Sequence, residues 1–464
     1  MLQLVKREEG VGYFDSHLWI PKSAASLEHI ASLLTYEKDD ESLVEAWEET
    51  TNHFKVPRNF MRHQALTRVP YPVYDARWTK FPSYKFESQV TLDFKEPDKT
   101  YQTDGCAALV NAFDGILSLR CGGGKTYTAL HAAAQVGQPT LVIVNEKSLA
   151  KQWEASIQEA LGLPKDQIGM VGGDKGRFDW QKPICIALIQ TLAMRATDNR
   201  IPPEMIQHFG VTIVDEAHIA GAPFLNRAVP PFHGRRWGLS ATPRREDGFD
   251  SLLTYTTGPV VYQYLLPNLR PSVVFRQLDT RLDTDDIEHF RGTHDRTGMF
   301  HHGKTYVWFA QECRERTNQI VRDITEAKSK GRQILVLSHS RDMVELLGER
   351  IEGAGVCHGG VRGEERFRRI RECNPVIAVM QVGKQALDKE SLDTLFVCDL
   401  STKQGVLQQI MGRILRIFDG KKNPVVVFYE DRYIQPFRRM ANRIRQLLRR
   451  WPDSMGGRIP YKVK

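Results

Sequence analysis

The chain has 464 residues, with 64 Lys and Arg against 56 Asp and Glu, for a formal net charge of +8. At roughly 100–200 residues per domain, this length corresponds to two to four domains. With 41% apolar and 26% charged residues, the composition excludes disorder or a collagen-like repeat as a description of the whole chain.

The longest apolar runs, such as 140–144 (TLVIV) and 425–429 (VVVFY), have the length of strands. No run of 18 apolar residues offers a membrane-spanning helix. The N-terminal MLQLVKREEGVG lacks the apolar segment of a secretory signal, so a cytoplasmic protein is expected. The seven cysteines show no CxxC spacing, which argues against a disulfide framework and a cysteine zinc site and for buried small hydrophobes.

Residues 1–95 carry aromatic residues and prolines but no phosphate loop, and are read as an accessory domain. Within 55–63 (KVPRNFMRH), Arg58 and Arg62 flank Phe60. Phosphate contact plus base stacking would suit a forked or single-stranded nucleic acid, with a structural or partner-docking domain as the alternative. From 96 to 265, the runs ILSL (116–119), TLVIV (140–144), ICIAL (184–188), VTIV (211–214) and GLSAT (238–242) alternate with helical segments. Such runs, buried on both faces and separated by helices, mark a parallel, doubly wound sheet. The pattern restarts over 266–431 with ILVLS (334–338), VIAVM (376–380), TLFVC (394–398) and VVVFY (425–429). The predicted fold is therefore α/β: two tandem parallel-sheet domains, preceded by the accessory domain and followed by a basic C-terminal helix over 432–464. Residues 279–304 are polar and irregular and read as a loop or small insertion. Their His294, His301 and His302 lack the spacing of metal ligands and are expected at the surface.

The strand–turn–helix ILSLRCGGGKTYTAL (116–130) contains Gly122, Gly123, Gly124, Lys125 and Thr126. Glycines let backbone N–H groups approach phosphate oxygens, and the helix N-terminus adds its positive dipole end. Lys125 would reach the β- and γ-phosphates, and the Thr126 hydroxyl would ligate Mg²⁺. The full phosphate-loop pattern has a glycine where this chain has Leu119. VTIVDEAH (211–218) ends a buried strand with two carboxylates. Asp215 can hold Mg²⁺ through a water, and Glu216 can orient and deprotonate an attacking water; a capping pair on the next helix is the alternative. In QQIMGRILR (408–416), Arg413 and Arg416 project from one helix face, with Gln409 four residues before Arg413. Arginines so placed can meet charge developing on a γ-phosphate.

The last 34 residues carry ten basic and two acidic side chains, the whole positive excess of the chain. Within 432–450, apolar Ile434, Phe437, Met440, Ile444, Leu447 and Leu448 recur at three- and four-residue steps, an amphipathic helix with an arginine-rich outer face. Composition does not distinguish a docked helix with a solvated face from a phosphate-binding stripe.

Taken in order, these segments resemble a superfamily 2 helicase over about residues 96–430. Tyr101-Gln102 is similar to the adenine-reading glutamine motif, and Cys121 to Thr126 to motif I. Asp215-Glu216-Ala217-His218 resembles motif II, and Ser240-Ala241-Thr242-Pro243 motif III. Ser338 to Ser340 resembles motif IV, Gly383 to Asp388 a divergent motif V, and Gln409 to Arg416 motif VI. LSATPRREDG (239–248) with DEAH is closer to the XPB/UvsW-like branch of DNA helicases, which includes phage branch-migration helicases, than to RNA DEAD-box enzymes. The resemblance implies two RecA-like domains with ATP and Mg²⁺ between them. Tyr101, Gln102, Gly383 and Asp388 would join the phosphate loop in holding the nucleotide. His218 and Gln409 would link hydrolysis to domain closure, and Ser240 and Thr242 would bridge motif II to the opposite domain. Strand contacts would fall at Lys147, Gly172, Gln190, Thr191 and Ser338, beside Arg58 and Arg62 of the accessory domain. Ordinary turn and cap roles for these polar loop residues remain open. The implied activity is a DNA-dependent ATPase that unwinds or branch-migrates forked and branched DNA in replication, recombination or repair. The expected protein is a monomer without membrane association, with replication or recombination proteins as candidate partners, cytoplasmic in a bacterial host if phage-encoded. An RNA helicase and a non-catalytic ATP-gated clamp are the alternatives.

Overall fold

The computed structural model describes the chain except for residues 1–6, 38–41, 61–70, 95–97, 121, 174–175, 242–248, 265–270, 281–307, 310–311, 381, 383–388, 390, 401–410, 412–413, 416–419 and 451–457. The chain divides into two compact units, Met1–Tyr264 and Leu265–Lys464.

The first unit is built on an eight-stranded sheet. From edge to edge its strands are Arg177–Asp179, Ile168–Gly172, Ile184–Leu188, Thr140–Val144, Val211–Asp215, Arg235–Ser240, Asp114–Leu119 and Val260–Tyr264. Every pairing is parallel except the edge hairpin of Ile168–Gly172 with Arg177–Asp179. Because side chains alternate across a strand, both faces need cover. Val142 and Val144 enter one apolar core with Leu117, Trp153 and Ile186, while Leu141 and Ile143 enter the opposite core with Ile116, Phe209 and Phe232. This two-sided burial is why the central strands read as unbroken apolar runs.

The N-terminal residues belong to this first unit. They form a sheet in the order Glu48–Glu49, His53–Pro57, His17–Pro21, Gly12–Phe14, Val73–Asp75, with the helix Leu27–Leu34 packed on it. Its core of Leu18, Ile20, Phe54, Val56 and Phe60 includes Tyr255 from the helix Asp250–Thr257. The Arg58 fork donates from Nε and Nη2 to the Asp114 carboxylate and from Nη1 and Nη2 to the carbonyls of His233 and Gly234, at 2.9 Å for each carbonyl. Both partners of this ion pair have fully buried side chains. Arg58 therefore anchors the N-terminal sheet to the first strand of the large sheet, which corrects its expected place on a nucleic-acid surface. With four of its five N–H donors bonded inside the protein and its side chain fully buried, this fork is out of reach of a phosphate. Arg62 lies outside the described residues.

The second unit carries a seven-stranded, all-parallel sheet in the order Gly355–Cys357, Val376–Val379, Ile334–Ser338, Thr394–Val397, Val425–Asp431, Ser272–Leu278, Tyr461–Val463. The helix Gln435–Arg449 packs its apolar side on this sheet through Phe437, Ala441, Ile444 and Leu448. The architecture is α/β with two RecA-like domains. Among the described residues, no helix is long and apolar enough to cross a membrane, and no group of three or more His, Cys, Asp and Glu residues is placed to hold a metal ion. His294, His301 and His302 lie outside the described residues.

Candidate nucleotide-binding site

The fully buried strand Asp114–Leu119 delivers the chain into the glycine-rich turn, and the helix Lys125–Val136 leaves it. Gly122 and Gly124 have φ of 74° and 78°, the left-handed region that disfavours any side chain. At Gly124 a Cβ would also lie 2.2 Å from Gln102 Nε2. Leu119, the departure from the phosphate-loop pattern, is buried in the core and presents only its carbonyl to the turn. That carbonyl accepts a 3.2 Å hydrogen bond from Lys125 Nζ. The lysine is thus folded onto its own loop, where a phosphate oxygen would be a stronger, charged acceptor.

Gln102 binds the same turn. Its Nε2 donates to the Gly123 carbonyl at 3.0 Å, and its Oε1 accepts from the Asp93 amide at 2.6 Å. Both ends of the amide are therefore used, and the structure places Gln102 as a brace on the phosphate loop. Tyr101 is corrected more strongly. It is buried, stacks on Tyr264 with centroids 4.6 Å apart, and accepts from Arg120 Nη2 at 3.2 Å, so it supports the loop from within the core.

Asp215 ends the strand Val211–Asp215, two strands from the phosphate loop with Arg235–Ser240 between them. Its carboxylate accepts from Trp153 Nε1 at 2.8 Å and from the Glu216 amide at 2.9 Å. Burial, and then the neighbouring Glu216 charge, push Asp215 up to about 6. Such a carboxylate gains from a nearby cation, so the donor set of Asp215 and the half-buried Thr126 fits Mg²⁺. Glu216 adopts a left-handed backbone with φ 46°, uncommon for a side-chain-bearing residue and found at functional strand ends. His218 Nδ1 lies 3.5 Å from its Oε2. Ser240 is fully buried at the end of the intervening strand.

The expected strand contacts divide. Gln190 is exposed, and its Nε2 donates to the Asn145 carbonyl at 3.0 Å. Thr191 packs on Gly172, where a Cβ would lie 2.6 Å from its Oγ1. Lys147 opens the helix Lys147–Leu161 and is exposed. These residues follow the strands Thr140–Val144, Ile168–Gly172 and Ile184–Leu188, while the nucleotide residues follow Asp114–Leu119 and Val211–Asp215. The strands are parallel, so both groups share one edge of the sheet, side by side. Ser338 does not join a free surface. It is buried, with its hydroxyl donated to Asp399, and the His339 amide donates to the same carboxylate at 2.7 Å. Gly383, Asp388, Gln409, Arg413, Arg416 and Thr242 lie outside the described residues. The sequence reading missed Asp93, whose carboxylate accepts from the Gln102 and Thr103 amides, and Trp153. Asp93 lies eight residues before the helix Tyr101–Asn111, away from its cap position Thr100, so no local signal marked it, and nothing in the sequence pairs Trp153 with Asp215.

A glycine-rich phosphate loop and a strand-end carboxylate pair on a parallel sheet define a nucleoside-triphosphate hydrolase with a RecA-like core. Residues 94–245 match the family described as type III restriction enzyme, res subunit, and residues 316–418 match the helicase conserved C-terminal domain. "Probable helicase D10" of Escherichia phage T5 is 23% identical over 389 residues, 76% of each chain. "DNA 3'-5' helicase XPB" of Mycobacterium tuberculosis is 25% identical over 65% of this chain and 55% of its own. A protein of Acanthamoeba polyphaga mimivirus, whose name places it with ATP-dependent RNA helicases, is 23% identical over 68% of this chain and 60% of its own. Among solved structures, T4 UvsW aligns over 98% of this chain and 99% of its own, with 14% identity and a TM-score of 0.41. The chain belongs to the superfamily 2 helicases and is an ATPase of that class.

Proposed function

We propose that the protein is an ATP-dependent DNA helicase or translocase that unwinds or remodels forked and branched DNA, including branch migration. The observation that carries this reading is the shared edge of the first sheet. Lys125, Asp215 and Glu216 occupy one half of it, and Lys147, Gly172, Gln190 and Thr191 the adjoining half. A change at the phosphates has a short, packed route to a surface of exposed polar groups and backbone amides. Contacts of that kind grip a backbone without reading bases.

In this reading Lys125 leaves the Leu119 carbonyl for the β- and γ-phosphates of ATP. Gly122 to Gly124 supply amides to the same oxygens. Thr126 and Asp215 would hold Mg²⁺, which neutralises phosphate charge when bound. Glu216, held in its left-handed turn, orients a water and accepts its proton. Arg413 and Arg416 are assigned to the γ-phosphate charge, and Gln409 and His218 to linking hydrolysis with strand movement. Gly383 and Asp388 are assigned to the nucleotide, and Ser240 and Thr242 to coupling. The reading rests on DNA more than RNA because the LSATPRREDG segment and the XPB relatives point there.

The test measures ATP hydrolysis with forked DNA, four-way junctions, duplex DNA and structured RNA, using wild type and Lys125→Ala. Strong stimulation by branched DNA, abolished in Lys125→Ala, is the expected result. Stimulation by RNA alone would replace DNA as the substrate. Undiminished hydrolysis in Lys125→Ala would remove the phosphate site.

A further inference from the structure

The helix Gln435–Arg449 is amphipathic in a way that the motor assignment does not use. Phe437, Ala441, Ile444 and Leu448 are buried in the second unit's core. On the opposite side Arg439, Arg443 and Arg450 are exposed, and Arg438 is exposed on the flank between the two sides. At 100° per residue, Arg439, Arg443 and Arg450 fall within about 40° of one another, along roughly 16 Å of helix axis. Among the described residues no carboxylate lies within ion-pair distance of these four. Their neighbours are satisfied: Arg445 pairs with Glu430, and Arg449 Nη2 donates to the Tyr461 hydroxyl at 2.7 Å.

Two other arginine-bearing helices of this unit carry ion pairs along their own length. In Gly363–Glu372, Arg368 and Arg369 bond Glu365 at 2.9 and 2.8 Å. In Arg341–Arg350, Arg341 bonds Glu345 at 2.9 Å. The C-terminal helix has no acidic residue at all between 432 and 450. Arg439 and Arg443 stand one turn apart, a like-charge spacing that opposes helix formation unless an external anion offsets it. Guanidinium groups suit phosphate oxygens, which they bind in a planar, two-point fashion. The apolar side is already occupied by the core, so insertion into a lipid surface is not open to this helix.

We propose that Arg438, Arg439, Arg443 and Arg450 form a sequence-independent contact with the phosphate backbone of a nucleic acid, separate from the strand-contact edge of the first unit. The inference rests on the reading that the protein acts on nucleic acid.

The test uses full-length protein without nucleotide and a labelled 20-base-pair DNA duplex, titrated from 50 to 300 mM KCl. The variant replaces Arg438, Arg439, Arg443 and Arg450 together by Gln, which keeps helix propensity and leaves the buried side intact; thermal unfolding confirms the fold. A second variant with Lys at the four positions keeps the charge. Each phosphate contact contributes about 0.9 to the slope of log affinity against log salt, so the Gln variant should lose about three to four from that slope, and the Lys variant much less. A slope unchanged to within one in the Gln variant overturns the proposal. Arginine-dependent binding to vesicles of anionic lipid without a matching loss on DNA also overturns it. ATP hydrolysis at saturating forked DNA separates the two readings. A wild type with no stimulation defeats the helicase reading, whereas normal stimulation with an unchanged salt slope defeats only the helix contact.

Discussion

Replacing Arg58 by Ala distinguishes what the residue type suggests from what the fold uses it for. The substitution removes a guanidinium that is 1% exposed and four hydrogen bonds: two to Asp114 and one each to the carbonyls of His233 and Gly234. Asp114 keeps the Asn59 side chain and the Arg236 amide, both at 3.0 Å, but loses its counter-charge in a buried place. Removing one partner of a buried ion pair costs about 3–5 kcal/mol. For a unit of this size each kcal/mol lowers the melting temperature by about 2–4 °C, so a drop on the order of 10 °C is expected. Arg58→Lys keeps the charge without the fork and should fall between. Thermal unfolding followed by circular dichroism reads the shift, and duplex binding at a temperature well below the transition should match wild type. A variant with wild-type melting and weakened DNA binding would refute the buried-anchor argument and restore Arg58 to a nucleic-acid surface.

Asp215, raised to about 6 from the ordinary 3.8, takes up a proton on folding between those values. The first unit therefore loses stability as pH rises through 6, by at most about 3 kcal/mol. Asp215→Asn lacks this titration, so its unfolding free energy in urea should gain on wild type by up to that amount between pH 4 and pH 7.5, while hydrolysis falls; a pH-independent difference would contradict the raised value. Gly124→Ala places a methyl group against Gln102 Nε2 at a φ of 78° and should cost about 1–2 kcal/mol in backbone strain alone, with loss of ATP binding. Adding Gln102→Ala removes the side chain that the new methyl meets and should recover part of the stability, and no recovery would mean that Gln102 does not lie against position 124. Trp153→Phe removes the indole donor to Asp215 and should destabilise the unit by about 1–3 kcal/mol, measured by denaturant unfolding.

The central strands were legible because each is covered on both faces, so Thr140–Val144 and Ile184–Leu188 read as continuous apolar runs. Strands at the edges and next to them escaped. Ile168–Gly172 contains two glycines, Val260–Tyr264 is half-buried to exposed, and Tyr461–Val463 is too short for any period to show. The phosphate loop and Asp215-Glu216 were legible because their chemistry demands contiguous residue types. Arg58, Tyr101 and Ser338 were misplaced for a common reason. Polar side chains in plausible positions suggest ligands, but Asp114, Tyr264 and Asp399, their actual partners, are set by the tertiary fold from distant sequence positions. Distant pairing of this kind leaves no local periodicity to read.

The hydrogen bond from Trp153 to Asp215 gives the protein an intrinsic optical probe. The indole sits within the helix that Lys147 opens, and it touches the carboxylate whose charge changes near pH 6. Emission from that single ring, isolated by comparison with Trp153→Phe, would follow the ionisation of Asp215 and the arrival of a cation beside it, reporting turnover-linked events without any attached dye.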